Sequence, residues 1–219
     1  MTSILSENQK HILGLLSRET SVSKHFYLSG GTALAEYYLH HRLSEDLDFF
    51  SEEEFDPQSI SISLKKLQRA AGVKHIRYEQ SFNRNLFFLE LAEDEVKTEF
   101  TYYPFPRIEK KRMEGGLPVD SLIDIAVNKI FTIYQKPRAR DFVDMYCIVK
   151  NQPTWTILDL SAKAQVKFDH YLDPLQLGSQ FIKANEILDL PRMLIKLDEH
   201  AWRGFFVEQA RNLAGDILA

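Results

Sequence analysis

Between residues 25 and 50 the sequence changes period twice around a pair of glycines. The short aromatic-rich run His25-Phe26-Tyr27-Leu28 reads as a strand, Ser29-Gly30-Gly31 as a tight turn, and Thr32 to Leu39 as a helix with Thr32 available as its cap and Leu34 and Tyr38 one turn apart. Alternation then returns: in Asp46-Leu47-Asp48-Phe49-Phe50 the two aspartates fall on one face of a strand, Leu47 and Phe49 on the other. A helix of this length climbs roughly 12 Å at about 1.5 Å per residue. A strand starting near Leu43 comes back about 10 Å over three residues at about 3.3 Å each. The spacing therefore returns the acidic pair to the side of the Gly-Gly turn.

That juxtaposition has a chemical meaning. Backbone amides at a helix start, unobstructed by side chains at Gly30 and Gly31, suit phosphate oxygens, and the Thr32 hydroxyl can donate one more bond. Asp46 and Asp48 on one strand face can share Mg²⁺. An anion cradle beside a divalent clamp is what a nucleoside triphosphate requires when pyrophosphate leaves. A third acid is expected on a neighbouring strand, and in Val96-Lys97-Thr98-Glu99-Phe100 the alternation offers Glu99, either as a metal ligand or as the base for an attacking hydroxyl. Without metal such a cluster repels itself, so metal dependence follows.

Around this centre the text is mixed. Glu7 to Leu16 and the run through Ile60, Leu64 and Leu67 read as amphipathic helices; Leu86 to Leu91 and Val96 to Tyr103, separated by Ala92-Glu93-Asp94-Glu95, read as a hairpin. After Pro104 and Pro106 come a basic cluster (Arg107, Lys110, Lys111, Arg112) and Gly115-Gly116, and then helical text to the end, including a long helix through Ile123 to Ile133 and another from Phe142 to Val149. The expected organisation is α+β: a small mixed-sheet catalytic domain over residues 1–114 and an all-α helical domain over 115–219. The basic cluster, and Lys65, Lys66 and Arg69, are where an RNA backbone could rest. His41-Arg42 reads as an exposed turn from which either residue could touch phosphate.

Composition narrows the classes. A net charge of -4 excludes the overall basic field of a dedicated nucleic-acid clamp, and the single Cys147 excludes an intramolecular disulfide or a multi-cysteine zinc site. No apolar run approaches the roughly 18 residues of a membrane span, and Met1-Thr2-Ser3-Ile4 lacks the order of a secretory signal, so the expected location is the cytoplasm. No Gly-x-x-x-x-Gly-Lys string and no His-Glu-x-x-His pair points to a P-loop enzyme or a zinc peptidase.

Taken together, Leu28-Ser-Gly-Gly-Thr-Ala-Leu34, His41-Arg-Leu-Ser-Glu-Asp46-Leu-Asp48-Phe-Phe50, the strand carrying Glu99, and Asp124 to Tyr146 with Lys129 and Arg140-Asp141-Phe-Val-Asp144 resemble the AbiEii/AbiGii nucleotidyltransferase toxins of the DNA polymerase β-like superfamily. The resemblance covers about residues 25 to 150. It implies transfer of a nucleoside monophosphate from an NTP to an acceptor hydroxyl, on RNA (tRNA in some members) or protein, with Mg²⁺ or Mn²⁺, and a cognate antitoxin as partner. Carried over by position, Gly30, Gly31 and Thr32 would hold phosphates and Asp46 and Asp48 metal, while Lys129 would steady the triphosphate with Asp141 nearby. The family's third acid is usually Asp; here Glu99 is one methylene longer. Rival readings are a metal-dependent nuclease or phosphotransferase using the same carboxylates, and a catalytically idle partner-binding module.

Overall fold

The computed structural model describes residues 3–110 and 112–218. It divides into two compact units, Met1–Ser121 and Leu122–Ala219. Helix α1 (Glu7–Leu16) opens the first unit from a capping box: the Ser6 hydroxyl accepts from the Gln9 amide at 3.2 Å, and the Gln9 side chain accepts from the Ser6 amide at 2.8 Å. The Gln9 side-chain amide then donates to the carbonyls of Ser44 and Glu45, tying α1 to the approach of the acidic strand. A short α2 (Thr20–Ser23) leads into β1 (Tyr27–Ser29), and α3 (Gly30–Leu34) follows the glycine turn. The helix does not stay regular as the sequence suggests: Ala35–Leu39 widens to π-helical geometry and stops at His40, which sits in the left-handed region at φ 48°. Next come β2 (Asp46–Ser51), α4 (Pro57–Leu67), β3 (His75–Ser81), β4 (Arg84–Glu90), β5 (Glu95–Tyr102), β6 (Arg112–Glu114) and β7 (Leu117–Val119).

Among the described residues these strands form one mixed sheet in the order β3-β4-β5-β2-β1-β7-β6. β2 runs parallel to β5 and β1 parallel to β7; the other neighbours are antiparallel. One face carries Leu28, Leu47, Phe49, Phe87, Leu89 and Phe100, all buried, with Phe49 stacked on Phe100 at 4.8 Å. Ile12 and Leu16 of α1 and Leu64 of α4 pack with Leu89 on that side. Burial of each such side chain contributes on the order of 1.5–3 kcal/mol, and the alternation of β2 turns Asp46 and Asp48 the other way.

Two parts of the sheet escape the sequence pattern. β3 is an edge strand whose residues are mostly exposed and polar, so it shows no apolar alternation. Gly115-Gly116, which the composition shift suggests as a domain junction, is instead a two-residue hairpin turn with both φ values positive, 56° and 87°. Its second strand, β7, pairs with β1 within the sheet, which is why the units divide after Ser121 and not after residue 114.

The second unit is helical: α5 (Leu122–Gln135), α6 (Ala139–Asn151), α7 (Ile157–Phe168), α8 (Pro174–Ile182) and α9 (Glu199–Leu218). Phe142, Phe181, Trp202 and Phe206 form its aromatic core, with Phe142 and Phe206 4.9 Å apart, edge to face. No helix among the described residues is long and apolar enough to cross a membrane.

Candidate active site

The glycine turn and the acidic strand meet. Ser29 pairs with Asp48 across β1 and β2, so the residue after Ser29 rises directly beside the Asp48 side chain. Gly30 has a φ of +69°, and a β-carbon there would stand 2.5 Å from Asp48 Oδ2. Both features disfavour any residue with a β-carbon. Gly31 is small for a different reason: a β-carbon would collide with the Arg42 guanidinium and lie 3.2 Å from Ser44 Oγ. The space left by the two glycines is thus taken by side chains of the returning segment. His41 and Arg42 are both buried, contrary to the exposed turn expected from the sequence, because Arg42 packs under the turn and donates to the Leu43 carbonyl at 2.9 Å. The Thr32 hydroxyl, expected to face phosphate, is buried, donates to the Asp46 carbonyl and lies 2.8 Å from the Ser44 hydroxyl. It fastens the helix start to the head of β2.

Asp46 and Asp48 share a face, and the parallel register with β5 sets Lys97 beside Asp46 and Glu99 beside Asp48. Lys97 Nζ lies 2.9 Å from Asp46 Oδ2. Glu99, almost fully buried, is held by Arg84 from the start of β4 through two hydrogen bonds of 2.6 and 2.5 Å, and accepts a third from Thr101 at 2.9 Å. The Arg84 guanidinium is raised above its ordinary value, first by the hydrogen bond to Glu99 and further by the fields of Asp48 and Asp46. Asp46 and Glu99 therefore each have a cation against them. Among the described residues no three His, Cys, Asp or Glu side chains are grouped closely enough to hold a metal ion by themselves. The aspartate pair still fits Mg²⁺, which typically takes one or two protein carboxylates and fills its shell with water and substrate phosphate.

Past the acids, the same face of β2 carries Phe50, stacked on Tyr103 at 4.8 Å, with Phe105 edge-on to Tyr103. Arg107 pairs with Glu52 at 2.7 Å and covers the Tyr27 ring, and Arg112 pairs with Glu114, so part of the basic cluster is neutralised locally; Lys111 lies outside the described residues.

Lys129 and Asp141 belong to the second unit. Lys129 on α5 is buried with its ammonium 2.8 Å from Asp141 and 2.8 Å from Asp144, both on α6, and Asp141 also accepts from the Arg138 amide at the start of α6. The three residues hold two helices together. A second buried pair, Lys167 with Asp124 at 2.8 Å, joins α7 to α5 and has no signature in the sequence beyond the residue types. Strand alternation already sets Lys97 on the face of Glu99, but Arg84 was beyond sequence reading: only the strand register shows that it shares the acidic face.

Comparison with known proteins gives a family and a fold. The family model described as nucleotidyl transferase AbiEii toxin, type IV toxin–antitoxin system, matches residues 14–214. The uncharacterized protein aq_aa25 of Aquifex aeolicus (strain VF5) is 33% identical over 147 residues, 65% of this chain and 66% of that protein, so the chain spans just under two thirds of that relative's length. The crystal structure of JHP933 from Helicobacter pylori superposes with a TM-score of 0.60 at 20% identity, covering 97% of this chain and 94% of that one. A second H. pylori structure, named as a candidate nucleotidyltransferase, gives a TM-score of 0.61 at 19% identity over 97% of both chains. At these identities the structural likeness speaks to the fold alone.

Proposed function

The chain belongs to the AbiEii nucleotidyltransferase toxin family, and from that premise we propose that it is a metal-dependent nucleotidyltransferase whose site is the glycine turn and the Asp46–Asp48 pair. The observation that carries this reading is the approach of Gly30 to Asp48: a turn able to bring backbone to a polyphosphate touches a carboxylate able to hold its cation. A divalent cation bound through Asp46 and Asp48 supplies charge neutralisation to the triphosphate and its departing pyrophosphate. The chain's own groups do the rest. Backbone at Gly30 and Gly31 orients phosphate oxygens, Arg42 supports the turn from beneath, and the acceptor hydroxyl stands against the acidic face formed by β2 and β5. That hydroxyl forms a bond to the α-phosphorus as the bond to pyrophosphate breaks, and its proton passes to a carboxylate of the acidic face.

In this proposal Glu99 positions Arg84 beside the reacting phosphates, and the metal is left to the two aspartates. Lys129 and Asp141 enter it as the buried pair that holds α5 to α6. The acceptor we propose is an RNA end, with tRNA as the first candidate, and the biological setting a toxin countered by a cognate antitoxin. The test is incubation with each α-labelled triphosphate, Mg²⁺ and total small RNA. A labelled RNA band should form and should vanish in Asp46→Ala and Asp48→Ala proteins that keep wild-type circular dichroism. Cut RNA would mark a nuclease instead, and movement of γ-label alone a phosphotransferase; label transfer that survives both substitutions would refute the assignment.

A further inference from the structure

The first unit holds a second concave site that shares no residue with the acidic face. It is a cleft of about 320 Å³ between α1, the π-helical turn and the β6–β7 hairpin. That volume lies at the lower end of small-ligand sites. Leu13 and Leu117 give it apolar walls, and Tyr37, Glu36 and Glu114 give it an aromatic and acidic side. Its charges are unevenly engaged. Lys10 is paired with Glu7 at 2.6 Å, and Arg112 is paired with Glu114. Glu36 accepts from Ser3 Oγ and the Ile4 amide at Oε2 alone, and no hydrogen bond from a described residue reaches its Oε1. The Tyr37 hydroxyl is pushed up to about 12, first by burial and then by the nearby carboxylates of Glu36 and Glu114, with Arg112 opposing them.

Gly14 adds an independent observation. It stands in the interior of α1, where glycine is unfavourable relative to alanine, yet a β-carbon there would meet nothing within 4 Å. Packing does not require the glycine. It lowers one wall of the cleft.

We propose that this cleft binds an alkylammonium group, its methylenes along Leu13 and Leu117 and its charge between the Glu36 carboxylate and the Tyr37 ring. Carboxylate and aromatic face are the two groups that recognise such a cation. The ammonium can come from a free polyamine or from a lysine side chain of a partner protein. Titration calorimetry on the full chain with spermidine, with Nα-acetyl-lysine methylamide and with 1,5-pentanediol separates these sources from simple apolar filling. At least one amine should saturate the protein one to one while the diol does not, and the tighter amine identifies the source. Glu36→Gln, which keeps the acceptor for Ser3 and Ile4, should weaken binding at least about tenfold. Gly14→Leu should abolish binding while raising the melting temperature, which keeps lost binding distinct from lost folding. Neither substitution touches the acidic face, so transfer activity should be unchanged. Equal binding of the diol, wild-type binding by Gly14→Leu, or no saturation by either amine at about 10 mM would overturn the proposal.

Discussion

Replacing Gly30 by alanine separates two demands that meet at one residue. At φ +69° an alanine is held in the left-handed region, which costs about 1 kcal/mol. Its β-carbon would also stand 2.5 Å from Asp48 Oδ2 and 3.3 Å from Asp48 Cγ. The Asp48 carboxylate would have to turn aside while its backbone stays in place, because β2 is paired on one side with Ser29 of β1 and on the other with Glu99 of β5. Overpacking of this kind adds about 1–3 kcal/mol, for a total of about 2–4 kcal/mol. Gly72 supplies the control: its φ is +67°, and a β-carbon there meets nothing within 4 Å. Gly72→Ala should therefore lose only the backbone contribution, about 1 kcal/mol. For a unit of this size 1 kcal/mol corresponds to about 4 °C, so melting followed by circular dichroism should fall by about 4 °C for Gly72→Ala and about 8–16 °C for Gly30→Ala. Transfer of α-label, measured well below both melting points, should drop about 100-fold for Gly30→Ala and stay level for Gly72→Ala. Equal melting shifts with wild-type transfer in Gly30→Ala would refute the reasoning: the glycine would then serve backbone conformation alone.

Three further outcomes are expected. Lys97→Met removes the ammonium that competes for Asp46 Oδ2, so Mn²⁺ binding, followed by the paramagnetic signal of the free ion, should tighten about three- to tenfold; unchanged affinity would mean that Lys97 does not oppose the metal. Lys129→Met strands Asp141 and Asp144 without their shared cation and should cost about 3–5 kcal/mol of stability in the helical unit, measured by urea denaturation. The folded protein holds the Tyr37 proton more tightly than the unfolded chain, about 12 against 10.0, so that contribution is complete below pH 10 and is lost as pH rises toward 12. Melting temperature should fall across that window, and less steeply in Tyr37→Phe.

The central strand–helix–strand text was legible because every local signal agreed. Aromatic strand, paired glycines, helix formers and acidic alternation each named one element, and the structure sets them as β1, α3 and β2 with Gly30 against Asp48. The hairpin of β4 and β5 and the helices α5 and α6 announced themselves through apolar period in the same way. What failed to show was whatever depends on neighbours distant in sequence. β3 is too polar to alternate, and the place of β7 beside β1 is a tertiary fact that Gly115-Gly116 cannot express. The same holds for side chains. Arg42 and Thr32 looked like surface groups beside a phosphate, but the segment returning from the helix buries them, and the cations facing Asp46 and Glu99 come from β5 and β4 through register alone.

The order in which the sheet collects its strands bears on how such a protein is made. Asp48 gains its in-register companion only when Glu99 has been added, and Ser29, next to the turn, donates at 2.7 Å to Asp120, 91 residues downstream. A chain still leaving the ribosome with its first hundred residues exposed has the acids and the glycines but not the strand that locks β1 in place. The strand that completes the sheet beside β1 is thus the last of the first unit to leave the ribosome, and the surroundings of Ser29 and Asp48 are finished in one late step.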